Sequence, residues 1–211
     1  KNVILFGRLK IKILLKLNKM IAIIQARCNS KRFKNKVLEI FLGKPIIQHV
    51  VDNVKKSKKL NMVIVATSKN KSDDKLIEYL KKKNINFYRG SHLNVAKRLS
   101  ELAEKKKSNF FIRISGDSPF INFKIIDRAI SLHKKNKNFD IVTNVFPRTF
   151  PMGQSVEIIK TEIIKKNLKQ FSNKDREHVT RYFYKNNSIF SILNFRNRSR
   201  KKIFKMSIDT I

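Results

Sequence analysis

From Met20 onward, apolar runs of strand length alternate with longer stretches in which apolar residues recur three and four apart. The runs at 21–24, 62–66, 86–88, 110–114 and 140–143 read as strands, each followed by a polar turn. Between them, 46–56, 73–83, 94–106 and 123–135 have the spacing of helices with one buried face. This alternation predicts an α/β fold, a mostly parallel sheet with helices on both faces, and right-handed crossovers that align the strand ends along one edge. After Phe146 the rhythm changes. Pro147 and Pro151 interrupt the chain, and a strand at 155–159, helices at 161–171 and 177–185, and strand-like runs at 189–193 and 203–208 follow. No repeat or linker sets this part off, so 20–211 reads as one domain with its later portion folded onto the same sheet.

The 211 residues suffice for one well-buried domain. A net charge of +34 would ordinarily suggest nucleic acid as partner. Here the lysines run through every segment beside Asn and Ile, as a strongly AT-biased coding sequence would give, and a single aromatic residue, Phe33, in the most basic loop is not an interleaved stacking platform. Nucleic acid is therefore not the expected partner, although a basic surface would still draw in polyphosphates. The single cysteine, Cys28, excludes an internal disulfide, fits a reducing cytoplasm, and shares no metal-ligand spacing with His49, His92, His133 or His178. No membrane span is expected, because Arg8, Lys10, Lys12, Lys16 and Lys19 interrupt the first twenty residues. Residues 1–19 form a basic extension, either an amphipathic helix at a membrane surface or, as we expect, a disordered or non-native segment ahead of a start at Met20.

Candidate chemistry concentrates where the first strand ends. The apolar run stops at Gln25 and Ala26 and opens into a loop with Arg27, Ser30, Lys31, Arg32 and Lys36. Arg and Lys are almost never buried unpaired, so such a loop lies in solvent or grips an anion, and its place at the end of a buried strand favours a nucleoside triphosphate. A second constellation runs from Arg113 to Pro119. Gly116 permits a tight turn as the strand ends and Asp117 projects at the same sheet edge, where it could hold a divalent cation or simply cap the turn. Magnesium usually takes one or two carboxylates with water and phosphate, and Asp209, ending another strand-like run, offers the second.

The segments IIQARCNSKRFKNKVL, GKPIIQHVVDNV, VIVATSKNKSDD, FYRGS, RISGDSPFIN, TNVFPRTFP, DREHVTRYFYKN and IDT, taken together and in this order, resemble the cytidylyltransferase family that activates acidic sugars. They are most similar to its branch of spore-coat-polysaccharide-type proteins, and more distantly similar to the CMP-sialic acid and CMP-Kdo synthetases. The resemblance implies a Rossmann-like nucleotidyltransferase fold that binds CTP and Mg2+ and forms a CMP-sugar with release of pyrophosphate. It places Gln25, Ala26, Arg27, Ser30, Lys31, Arg32 and Lys36 around the nucleotide, with Arg27, Lys36 and Asp117 in the chemistry and Asp117 and Asp209 as metal ligands. Arg89, Gly90 and Ser91 match a segment near the nucleotide. Arg176 and His178 belong to a signature with a role in sugar binding or subunit contact, although its Asp-Arg-Glu run would equally serve to cap a helix, and Arg148, Gln154 and Glu157 are further sugar-side candidates.

The chain departs from the pattern at Lys34-Asn35, where Pro-Gly is usual, and at Cys28-Asn29, where Met-Gly is common; Asn35 tolerates a left-handed backbone and could preserve the turn. It also stops at Ile211, where the family continues into a final helix, so truncation is expected. A homodimer is plausible on this resemblance. Two other readings stay open: a protein that binds or transfers a nucleotide sugar without cytidylyltransferase activity, and a basic nucleic-acid-binding protein.

Overall fold

The computed structural model describes residues 20–29, 34–136, 138–197 and 206–208. The extension at 1–19, and with it Ser30, Lys31, Arg32 and Asp209, lies outside the described residues, as does 203–205 of the last expected strand; 206–208 form no strand.

Four parallel strands form one half of the sheet: β1 (Ile21–Gln25), β4 (Met62–Ser68), β5 (Phe87–Gly90) and β6 (Phe110–Ser115). The other half holds β7 (Ile141–Thr143), β8 (Glu157–Lys160) and β9 (Ile192–Asn194). Among the described residues the order is β5-β4-β1-β6-β8-β7-β9. β8 runs antiparallel to both neighbours, while β7 and β9 pair in parallel. Sequence rhythm locates these strands but not their order, because β8 inserts between β6 and β7 through a long-range crossover. A small hairpin, β2 (Ile40–Phe41) with β3 (Lys44–Pro45), was not expected; strands of two residues leave no readable alternation.

The helices lie on both faces, as the pattern requires. Ile47, Val50, Val51 and Val54 of α1 (Ile46–Lys55), Leu76 and Leu80 of α2 (Asp74–Lys82), and Ile126, Ala129 and Ile130 of α4 (Phe123–Lys135) share one core with Ala22, Ile24, Ile112 and Ile114. The opposite face packs Val95, Leu99 and Leu102 of α3 (Val95–Lys105), Ile163 and Ile164 of α5 (Thr161–Asn167) and Phe183 against Ile21, Ile23 and Phe111. β1 is covered on both sides, which is why its sequence is continuously apolar. Asn94 and Asn122 start α3 and α4 by accepting the backbone N–H of Lys97 at 2.8 Å and of Lys124 at 2.9 Å. The expected helix over 177–185 is two short ones, α6 (Asn173–Glu177) and α7 (Arg181–Lys185), with His178 at φ −101, ψ 67 in the break.

Asp73 ties the sheet edge together. It is fully buried and accepts the Cys28 N–H at 2.7 Å, the Thr67 hydroxyl at 2.9 Å, the Ser68 N–H at 3.0 Å and the Ser68 hydroxyl. The Cys28 carbonyl in turn accepts the N–H of Asn35 at 2.8 Å, and Asn35 adopts φ 60, so the loop after β1 is closed at its neck by the left-handed residue that replaces glycine. Asp73→Ala leaves several buried donors unmet and should lower the unfolding free energy by about 3 kcal/mol in urea titrations. A loss below about 1 kcal/mol would mean the neck is held by other contacts.

Candidate active site

β1 and β6 are paired in register, with Gln25 opposite Ser115, so the two chains leave the sheet side by side. Gly116 donates its N–H to the Gln25 carbonyl at 2.9 Å, and a Cβ on Gly116 would sit 2.9 Å from both that oxygen and the Cβ of Ala26. Glycine is thus required for close approach of two backbones; the expected turn follows the strand at 116–117, without a positive φ at Gly116. The contact brings Asp117 beside Lys36. Lys36 is buried, and its Nζ lies 2.9 Å from Asp117 Oδ2, while Asp117 Oδ1 accepts the Ser115 hydroxyl at 2.6 Å. Arg27 forms an ion pair with Glu177 at the end of α6. The C-terminal segment reaches the same place: the Ile208 N–H donates to the Asp117 carbonyl at 3.3 Å, and Asp209 is the next residue in the chain. Gly153, at φ +92, lets this segment pass, because a Cβ there would lie 2.4 Å from Met206 carbonyl atoms.

Two cavities open at this edge. One is lined by Gln25, Ala26, Arg27, Lys36, Arg98 and Gly116; the other, of about 610 Å³, by Arg113, Phe146, Arg148, Glu157, Arg181 and Lys185 among others. Ser115, Asp117 and His178 line both. Within the larger cavity, Glu157 is buried, pairs with Arg113 and accepts the Tyr184 hydroxyl at 2.6 Å, and Arg113 Nε donates to Gln25 Oε1 at 2.8 Å. Burial, and then the Glu157 charge, push the Tyr184 hydroxyl well above its ordinary pKa, so it stays a donor. Tyr184 also stacks on Phe146 at 4.7 Å.

Not every expected residue joins these walls. Gln154, expected at the sugar, is buried as a strut: its amide donates to the Phe120 carbonyl at 2.5 Å and its oxygen accepts the Asn122 N–H at 3.0 Å. Arg176 lines neither cavity and lies 3.4 Å from Asn173 Oδ1. Arg89 points to Asp74 at 2.7 Å and to the carbonyls of Ser68 and Asn70. Gly90 and Ser91 instead seat Arg98, a residue the sequence reading passed over. Its only signal was helical spacing, since Arg98 falls three residues after Val95 and four before Leu102 on the buried side of α3.

The family model for cytidylyltransferases matches residues 21–211. The chain belongs to the cytidylyltransferase family. A spore coat polysaccharide biosynthesis protein of Bacillus subtilis is 26% identical over 203 residues, covering 92% of this chain and 82% of that one. A cytidylyltransferase from Leptospira borgpetersenii superposes with a TM-score of 0.86 at 29% identity, over 92% of this chain and 82% of that one. The structure of CMP:2-keto-3-deoxy-manno-octonic acid synthetase complexed with CTP shares the fold at a TM-score of 0.67 and 17% identity, over 85% of this chain and 90% of that one. This cytidylyltransferase therefore has the α/β nucleotidyltransferase fold of an enzyme family, and no helix among its described residues is long and apolar enough to cross a membrane.

The described residues of this cytidylyltransferase contain no cluster of three His, Cys, Asp or Glu side chains suited to a metal ion. Magnesium does not need one, since a carboxylate or two with substrate phosphates and water complete its shell. Asp117, partly exposed on the wall common to both cavities, fits that requirement. Cys28 lines neither cavity. It is buried, and burial, reinforced by Asp73, pushes its thiol up to about 11. At pH 8 the native thiol should therefore react with Ellman's reagent roughly a hundredfold more slowly than in urea. Rates within tenfold of each other would show that the loop neck opens freely.

Proposed function

We propose that this protein transfers CMP from CTP to an acidic sugar with release of pyrophosphate, in the biosynthesis of a surface polysaccharide or glycan. The observation that carries the reading is the position of Asp117 on the shared wall of two cavities, one bounded by the cationic end of β1 and the other by Arg148, Arg181 and Lys185. An in-line displacement at the α-phosphorus by a sugar hydroxyl needs nucleotide and acceptor to meet at one polar junction, and mainly requires positioning and neutralisation of negative charge.

Gln25, Ala26, Arg27 and Lys36 line the nucleotide side, and Ser30, Lys31 and Arg32 extend the same loop in sequence. Arg27 and Lys36 would exchange the carboxylates of Glu177 and Asp117 for phosphate oxygens and stabilise the departing pyrophosphate, each donor contributing about 3 kcal/mol. Gly90 and Ser91 bear on the nucleotide side through Arg98, while Arg89 at the end of β5 is held by Asp74. Arg148, Glu157 and His178 orient the sugar from the larger cavity, with Gln154 bracing the chain beside that wall through Phe120 and Asn122. Mg2+ held by Asp117 and Asp209 would supply neutralisation of charge at the α-phosphate. The relative complexed with CTP supports cytosine as the base, and the Bacillus subtilis relative supports the polysaccharide role. Such an enzyme works in the cytoplasm, where CTP is made, and we infer a homodimer with no nucleic acid partner.

CTP-dependent pyrophosphate release with a panel of acidic sugars tests the reading. Asp117→Ala should lower kcat at least about a hundredfold with little change in thermal stability. Unchanged release in that variant would remove Asp117 from the mechanism. In sedimentation velocity the protein should run as a dimer at micromolar concentration, and a monomer throughout that range would end the homodimer inference.

A further inference from the structure

Arg98 differs from the other cations of the nucleotide-side cavity. Arg27 has Glu177 and Lys36 has Asp117, but among the described residues Arg98 forms no ion pair with a carboxylate. Asp73 is near enough to be felt, yet its oxygens are already taken by four donors. Only 1% of Arg98 is exposed. Nη1 donates to the Ser91 carbonyl at 2.8 Å, and Nε is buried with no acceptor. The side chain nevertheless lines the cavity beside Lys36 and Gly116.

A guanidinium in this position is costly, because it has given up water without gaining a counter-ion. A leucine or methionine on the same face of α3 would carry no such penalty. The surroundings are nonetheless shaped to hold the arginine: a Cβ on Gly90 would lie 2.7 Å from Arg98 Cγ and 2.9 Å from Tyr88 Cε1. Among the described residues no carboxylate fills that place, and on a nucleotide the groups that combine negative charge with free acceptor oxygens are the phosphates.

We propose that Arg98 is a phosphate-binding residue of the nucleotide site, its unfilled N–H groups completed by a phosphate oxygen of the bound nucleoside triphosphate, with Gly90 and Ser91 acting through it. The proposal rests on the nucleotide-binding reading above and adds a residue to it.

Calorimetric titration of the full-length wild type, Arg98→Met and Arg98→Lys with CTP, with inorganic pyrophosphate and with cytidine tests this, together with thermal unfolding of each ligand-free protein. Arg98→Met should bind CTP and pyrophosphate at least about 30-fold more weakly, leave cytidine binding unchanged, and unfold at the same or a higher temperature, because replacing an unpaired buried charge by an apolar side chain relieves a penalty. Arg98→Lys keeps the charge but loses the planar fork, and should bind CTP at least about threefold more weakly. Wild-type affinity for CTP and pyrophosphate in either variant would overturn the proposal, and so would an equal loss for cytidine and CTP. A ligand-free unfolding temperature well below wild type in both variants would mark Arg98 as a structural strut and overturn it too. If the wild type binds pyrophosphate but not CTP, the cytidylyltransferase reading fails and the pyrophosphate titrations still decide Arg98.

Discussion

The contact on which the site depends is between backbones: the N–H of Gly116 on the carbonyl of Gln25, with no room for a side chain between them. Parallel pairing of β1 with β6 brings the two strand ends to one level, but only this approach joins the loops that leave them. Lys36 and Asp117 are 81 positions apart in sequence and meet because of it. The contact is cheap in stability, a single hydrogen bond of about 1 kcal/mol. Its importance is geometric, since a displacement of about 1 Å in a positioned charge can cost a phosphoryl-transfer site a hundredfold in rate.

Around that contact most site charges are held by a charge of opposite sign. Arg27 holds Glu177, Lys36 holds Asp117, Arg113 holds Glu157 and Arg181 holds Asp175. Such pairing keeps loops ordered that would otherwise repel one another. It also sets the terms of ligand binding. A phosphate must displace a carboxylate from Arg27 or Lys36, so part of its interaction energy is spent on exchange, whereas a contact to Arg98 displaces nothing. Exposed pairs such as Arg27–Glu177 exchange at low cost, and the buried Arg113–Glu157 pair, completed by Tyr184, is the more rigid wall.

How much of this could be read beforehand follows from the range of the interactions. The strands and helices up to Thr143 show in the hydrophobic period because each packs its own face on the sheet, and the cationic loop and Asp117 show because charged residues interrupt apolar runs. Asn35 was legible as a left-handed position because it stands where the family usually has glycine and is a residue type that tolerates that conformation, and it takes φ 60. Long-range partnerships were not legible. Gln154 was a sugar-side candidate whose direction the sequence could not give, and its hydrogen bonds reach Phe120 and Asn122. Asp73 looked like the start of a helix, and its tie to Cys28 joins the turn after β4 to the loop after β1. The helix expected over 177–185 splits because His178 leaves helical geometry just after a helix anchored by the Ser172–Asp175 capping box.

The composition acquires a different meaning once the acids are located. Only 15 Asp and Glu stand against 49 Lys and Arg, and five of those acids, Asp73, Asp117, Glu157, Asp175 and Glu177, sit in or directly behind the candidate site. Surface lysines are interchangeable, since a solvated ammonium contributes little wherever it stands. A carboxylate that accepts two or more specific donors has no such freedom. The chain can thus carry a large positive charge over its surface, which attracts polyphosphates toward it from several directions, without specifying where they bind. The few acids supply that specification: they hold the cations of the β1 loop and the larger cavity at fixed positions, and through Asp117 they mark the point where phosphate and acceptor hydroxyl would meet.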